Sequence, residues 1–349
     1  FLKTEWLFGG IAIAAVIQSV IGIGQFIFQK SIGLAWLGEP MIGPTISGAS
    51  KIVVEGVRIL RAYGTFPHPN ILAAFLLLGL ISLCYFWLKG DANIQMNTNY
   101  TNPIIRVIRR YSYISIAIGI FAIFLGLILA FSRAAWLVGG FVIAALLIKS
   151  LFSQEKFRQA PTPEREPAQN FFTRTNPRLV WGQAVRLIIL LIAIGVIIIF
   201  AFQRYIFPRA MVSVSEPSVT QRISYNQLAF ELIKNRPLGV GIGNQVLYAV
   251  KNEVYQRIGM KEVWQWQPIH NIYLLIAAEL GIIGLLAFLV FLGYLLHRNF
   301  HNPIITAMIE GILLLGLFDH FLWTLQPGRI MLWLAIGLML GLNSSEKRP

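Results

Sequence analysis

The sequence predicts an all-α fold, a polytopic transmembrane helical bundle of about eight spans with a long helical outer loop. Three observations carry this. The 349 residues are 56% hydrophobic against 13% charged, with a mean hydropathy of +0.66. Apolar runs such as Leu187–Phe202 and Ile272–Leu296 approach or exceed the roughly 20 residues needed to cross a bilayer. Backbone in lipid has to satisfy its own hydrogen bonds, so such runs are helices. The net charge of +14 would point to nucleic acid in a soluble protein. Here it is read as membrane orientation and contact with anionic lipid or phosphate, with no nucleic-acid partner. Cys84, the single cysteine, sits inside an apolar run and forms no internal disulfide.

The first span is read at Trp6–Phe28. Gln29–Asn70 follows, containing the basic, helical-looking piece KIVVEGVRILRAYG and then TFPHPN. The second span, Ile71–Leu88, leads to a polar loop with Arg106, Arg109 and Arg110. Spans three and four, Ile114–Phe131 and Ala134–Ile148, meet through the short link FSRAAW. Residues 149–186 are basic and Pro-rich and read as a cytoplasmic loop. The fifth span is Leu187–Ile206. The loop 207–268 is the large extracytoplasmic one, and the sixth span is Ile269–Leu296. The seventh and eighth, Ile304–Phe321 and Ile330–Leu342, close the chain. Residues 1–349 are read as a single membrane domain. The first span begins almost at once after Phe1, so helices of a longer protein are expected to precede it.

Orientation follows from basic residues in short loops. Arg106, Arg109, Arg110, the 149–186 segment, Arg298, Lys347 and Arg348 fall on one side, taken as cytoplasmic. The long outer loop is nonetheless rich in cations. It reads as two helices. The first has Val219, Ile223, Phe230 and Ile233 near one face, and the second carries a stripe of Val246, Val250 and Val254. Trp264 and Trp266 suit an interfacial aromatic belt.

Several residues stand out chemically. GVGIGN (239–244) lacks the Lys-Ser/Thr ending and preceding strand of a nucleotide loop, and a tight turn between helices is its plainest reading. Gly241, Gly243 and Asn244 remain candidate substrate contacts, because glycines admit close backbone approach and a helix N-terminus attracts anions. Arg133 lies between two spans, where an arginine either snorkels or points into a cavity as a fixed cation. Arg58, Arg61 and Arg222 fall on the same outward side, and the convergence of four cations says more than any one of them. His270 opens the sixth span beside Asn271. A histidine there serves ordinarily as an interfacial hydrogen-bonding group, but its near-neutral pKa also makes it a natural general base. His68 and Asp319 join the candidate set, the latter with His320 as a group able to orient a base or a sugar. Glu279 lies ~13 Å deeper than His270 at helical rise and reads as a structural hydrogen-bonding residue. With two aspartates in all and no paired outward carboxylates, no carboxylate metal site and no cofactor are expected. An anionic diphosphate would be neutralised by arginines, whose guanidinium forks suit phosphate oxygens.

RAYGTFPHPN (61–70), FSRAAW (131–136), the Arg222 helix running into NRPLGVGIGN (235–244), and HNIYLLIAAELGIIG (270–284) occur in this order. Together they resemble the O-antigen ligase/polymerase family of bacterial membrane proteins. The resemblance implies a C-type-like glycosyltransferase architecture in the inner membrane with an outward-facing site. It implies a metal-independent transfer of a glycan from an undecaprenyl-diphosphate carrier to a hydroxyl of a lipid or glycan acceptor. Carried over by motif, Arg133 and Arg222 would grip the diphosphate and His270 would activate the acceptor or assist the leaving group, with Arg61 an addition. Two other readings stay open: a small-anion transporter, and a noncatalytic partner of a glycan-assembly complex. The one-sided clustering of cations favours the enzyme.

Overall fold

A computed structural model describes residues 4–90, 103–152, 177–211, 216–299 and 302–345. The Pro-rich body of the expected cytoplasmic loop, Arg106, Arg109 and Arg110 as side chains, and Lys347 and Arg348 lie outside the described residues. The fold is all-α and polytopic. Six helices among the described residues are long and apolar enough to span a bilayer: 5–28, 69–89, 111–129, 133–151, 181–210 and 272–299. The expected seventh span is a helix of 13 residues, Pro303–Leu315. At 1.5 Å per residue that is about 20 Å, short of the roughly 30 Å hydrocarbon core. The expected eighth span lies within a 20-residue helix, Gln326–Ser345, that is not among the six.

The chain divides into two compact units, residues 1–210 with 301–311 and 341–349, and residues 211–300 with 312–340. In the first, α1 (Thr4–Phe28), α2 (Pro69–Lys89) and α3 (Pro103–Leu129) pack against one another, with α4 (Arg133–Phe152) and α5 (Pro177–Ala210) beside them. Helix α2 is buried along most of its length, as a bundle centre requires. Gly79 permits this: a Cβ there would lie 2.1 Å from the Cβ of Ala15 on α1. Buried Gln25 of α1 ties the segment before α2 into place. Its amide donates to the Glu39 carboxylate and the Gly64 carbonyl, and its oxygen accepts from the Tyr63 and Gly64 N–H groups.

The piece expected to be helical, Lys51–Leu60, is instead an antiparallel hairpin of β1 (Lys51–Val54) and β2 (Val57–Leu60). The reason lies in its two-residue turn. Glu55 and Gly56 both adopt positive φ, 50° and 80°, a turn whose twist matches paired strands, and β-branched valines and isoleucines fill the pairing positions.

In the second unit, α6 (Pro217–Asn235) is followed by α7 (Gln245–Lys251), α8 (Val254–Arg257) and α9 (Ile272–Asn299). The outer-loop helices differ from expectation in two ways. The buried face of α6 is Tyr225, Leu228, Ala229 and Leu232, while Ile223 and Phe230 are exposed. The expected second helix splits at Asn252–Glu253, where Glu253 takes φ 55°. Val246, Val250 and Val254 still pack into the resulting core around Tyr255 and Met260. Trp264 is exposed, whereas Trp266 is half-buried and donates to the Met260 carbonyl.

Helix α9 is not continuous. Gly281, at φ 76° and ψ 177°, breaks it into two helical parts. In an unbroken helix Ile282 N–H would bond the Ala278 carbonyl. Instead Ile282 donates to the Pro237 carbonyl at 3.0 Å, while Val240 and Gly241 donate to the carbonyls of Ala278 and Glu279 at 3.0 and 2.9 Å. The loop after α6 thus plugs the break with its own backbone. The approach is so close that a Cβ on Gly239 would sit 2.3 Å from the Glu279 carbonyl oxygen, and one on Gly281 would meet Pro237 and Leu238 at 2.6 Å.

Gly239→Ala and Gly281→Ala are each expected to destabilise the fold by more than the ~1–3 kcal/mol of left-handed strain alone, because backbone atoms on the facing segment must also move. Gly293→Ala, on the same helix with nothing within 4 Å, is the control. Thermal unfolding of the detergent-solubilised protein reads this, with both glycine variants falling well below the control.

Candidate active site

The second unit gathers His270, Asp319, His320 and Tyr225. Each is placed by a local backbone decision. Asn271 caps α9: its side-chain oxygen accepts from Tyr273 N–H at 3.0 Å and Leu274 N–H at 3.2 Å. His270 therefore lies just outside the helix rather than within it, held in the segment after Pro268. Further along, α10 (Pro303–Leu315) ends in a turn that leads to α11 (Phe321–Thr324) and then α12 (Gln326–Ser345). Asp319 and His320 sit in that turn, which is pinned to α9 by Ile272 N–H donating to the Gly316 carbonyl at 2.8 Å.

The His270 ring stacks on Tyr225 of α6, with centroids 4.5 Å apart and planes 7° from parallel, and meets the His320 ring edge-on at 4.7 Å. His270 Nδ1 lies 2.8 Å from the Pro268 carbonyl oxygen. A carbonyl only accepts, so Nδ1 carries the proton and Nε2 presents a lone pair. His320 Nδ1 pairs with Thr324 Oγ1 at 2.6 Å, and the same hydroxyl lies 3.2 Å from the His320 carbonyl oxygen. Asp319 is buried and accepts from the His320 N–H at 2.8 Å. Arg222, one turn before Tyr225 on α6, is close enough for its charge to act on His270.

Burial holds the His270 pKa below its ordinary value; the Asp319 charge and the Pro268 hydrogen bond oppose this and Arg222 reinforces it. Burial likewise lowers His320 to about 4, against Asp319 and with help from His270. Both rings are neutral at pH 7. His270, Asp319 and His320 also offer ligand atoms that all lie within 4.8 Å of one another, and they are the set among the described residues able to hold a metal ion. The site therefore offers a neutral imidazole base beside a carboxylate and a guanidinium, with donors that suit a proton transfer next to an anion.

The other sequence-predicted residues have definite places. Arg61 is buried and donates through Nε to the Ala130 carbonyl and through its terminal nitrogen to Asn70 Oδ1, both at 2.8 Å. It shares the end of α3 with Ala62 N–H on the Leu129 carbonyl and Arg209 on the Phe131 carbonyl. Two cations thus cap a helix C-terminus, which complements its dipole and its unpaired carbonyls. His68 caps α2: Nδ1 accepts from Asn70 N–H, and Nε2 faces Ser50 Oγ at 3.1 Å. Arg58 is exposed on β2, and Arg133 is the first residue of α4, half-buried. These four belong to the first unit. Gly241 spends its N–H on the break in α9, and Asn244 donates its own to Gly241, so two amides of the glycine loop are taken by backbone. Gly243 is exposed with φ 74°. Sequence reasoning noted His320 but did not include it in the site, and missed Tyr225 and Thr324. The recurrence of His at the ends of two apolar runs, 270 and 320, was the available signal.

These features define a multi-pass helical membrane protein with a His–Asp–His cluster, its carboxylate buried and its two rings half-buried, and an arginine whose charge acts on it. The family model described as O-antigen ligase matches residues 118–289, and this match supports the O-antigen ligase/polymerase family for the chain. The matched region contains Arg133, Arg222 and His270, while Asp319, His320 and Arg61 fall beyond it. No curated protein matches the chain.

Two outcomes follow for this site. Asn271→Ala is expected to cost ~0.5–2 kcal/mol through the lost cap, and Asn271→Asp or Ser to restore it; thermal unfolding checks this, and a substrate-only role would leave stability unchanged. Activity requiring neutral His270 should hold from high pH down to below about 6.5, its ordinary pKa, and fall only in more acidic buffer. Asp319 raises that pKa, so Asp319→Asn should move the acid limb of kcat/KM to still lower pH.

Proposed function

We propose that this protein transfers a glycan from an undecaprenyl-diphosphate carrier to an acceptor hydroxyl on the extracytoplasmic face of the bacterial inner membrane, without metal. The observation that supports this best is the tautomer of His270: a half-buried neutral imidazole whose Nδ1 is held by the Pro268 carbonyl, leaving the Nε2 lone pair free within reach of the Arg222 charge. In the step envisaged, the acceptor hydroxyl gives its proton to His270 Nε2 while its oxygen bonds the anomeric carbon. The bond from that carbon to the diphosphate oxygen breaks, and the lipid diphosphate leaves with the electron pair. Arg222 neutralises the charge that develops there, and Arg133 carries the same assignment from its motif. Asp319 stabilises the imidazolium once formed. The acceptor is a surface glycan or lipid, with a second lipid-linked repeat unit as the polymerase version of the same reaction.

Reconstitution in liposomes with an undecaprenyl-diphosphate oligosaccharide tests this through release of lipid diphosphate. His270→Ala and Arg222→Ala should each lower turnover by at least about 10²-fold, the lower end for a general base or one oxyanion-stabilising donor, with membrane insertion intact. A chelator should leave turnover unchanged. Full turnover in His270→Ala contradicts the base assignment. Loss in chelator that zinc restores would convert the His270–Asp319–His320 cluster into a metal centre. A lengthening ladder of products identifies a polymerase, and a single shift of an added acceptor a ligase.

A further inference from the structure

A cavity of about 410 Å³ opens within the second unit, with Gly243, Glu279, Trp323, Thr324, Arg329 and Trp333 among its lining residues. Its size falls within the roughly 300–1,000 Å³ of small-molecule sites. Three features distinguish it from a lipid crevice. The first is Glu279. The residue is only 4% exposed and stands at the end of the first part of α9. Oε2 accepts from Trp323 Nε1 at 2.9 Å. Among the described residues, Oε1 carries no hydrogen bond and no Lys or Arg pairs with the group. Oε1 is therefore an acceptor open to the cavity, where a ligand hydroxyl can donate to it.

The second feature is aromatic. Trp323 and Trp333 both line the space, and indole faces carry the negative quadrupole that draws the weakly positive C–H face of a sugar ring. The third is continuity with the histidines. Pro268 and Thr324 line the cavity, and they are the residues whose oxygens hold His270 Nδ1 and His320 Nδ1. Whatever occupies the cavity lies against the groups that hold both Nδ1 atoms. An apolar tail would leave Glu279 Oε1 unsatisfied, whereas a polyol satisfies it.

We infer that this cavity is a glycan subsite that seats one neutral pyranose ring, its C–H face on Trp323 and Trp333 and a ring hydroxyl donating to Glu279 Oε1, with Arg329 donating at the rim. The inference rests on the reading of His270 as the transfer base only for its placement beside the chemistry; binding itself needs no turnover. It assigns Glu279 and Trp333 as specificity residues for the sugar rather than for the diphosphate. The acceptor that Glu279 offers is matched by a hydroxyl and not by a second carboxyl group, so a neutral sugar is expected to bind better than a hexuronate.

The test is tryptophan-fluorescence titration of the full chain in detergent with free glucose, galactose, N-acetylglucosamine, rhamnose and glucuronate, none bearing a carrier. At least one neutral pyranose should quench saturably, and glucuronate should bind more weakly. Glu279→Gln and Trp333→Phe should each weaken that binding by about tenfold, the equivalent of one lost hydrogen bond or ring contact. Trp333 is more than half exposed, so its replacement does not depend on refolding the core. Quenching by no neutral sugar, or affinities unchanged in both variants, overturns the subsite and leaves the cavity to lipid. Sugar binding with no glycan transfer in liposomes would sink the proposed reaction and keep the subsite. Transfer without sugar binding would do the reverse.

Discussion

The break in α9 is the constraint on which the second unit depends. Apolar surroundings do not tolerate orphaned backbone groups, and Gly281 creates three at once. The loop Pro237–Gly241 satisfies them with one carbonyl and two N–H groups. That exchange locks the end of α6 to the middle of α9. Helix α6 carries Arg222 and Tyr225, and the start of α9 follows directly on His270. Two flanks of the site are therefore set by backbone hydrogen bonds some distance from the reacting atoms. The glycines at 239 and 281 are required by distance as well as by φ.

The same economy governs the histidines. A buried imidazole with both nitrogens free would have no defined tautomer. Here each Nδ1 is committed to a nearby oxygen, Pro268 for His270 and Thr324 for His320. Burial disfavours protonation, so each ring keeps a lone pair at neutral pH. Asp319 opposes the burial effect on both rings and Arg222 adds to it at His270. A base that stays neutral beside a guanidinium is what a reaction needs when a proton must leave one oxygen while negative charge grows on another.

Much of this was legible in the sequence, for identifiable reasons. Apolar runs longer than a bilayer admit only helices, so the six long helices follow from length and hydropathy alone. The link FSRAAW fixes the turn between α3 and α4, because three residues leave no other path. What was not legible were contacts made by backbone with distant backbone. An isolated glycine in an apolar helix is ordinarily tolerated, so ELGIIG gives no sign of a break until PLGVG is laid against it. The His-Asn pair read as a functional couple; Asn271 is a helix cap, and its short polar side chain serves either role. Arg61 enters the candidate set through its motif and the convergence of outward cations; that its guanidinium donates to the Ala130 carbonyl and to Asn70 is a contact between distant segments that spacing does not show. The hairpin at Lys51–Leu60 was hidden by two basic residues at a helix-like spacing, although its Glu-Gly turn and β-branched residues carried the correct signal.

The central claim is that His270 holds a neutral, Nδ1-protonated ring whose Nε2 is the base. Nitrogen-15 NMR of histidine-labelled protein in nanodiscs reads this directly, with His270→Gln used to assign the resonance. The account predicts the neutral Nδ1–H tautomer at pH 7 and a titration midpoint below the ordinary histidine value of about 6.5. An imidazolium at neutral pH, or a proton residing on Nε2, would contradict it.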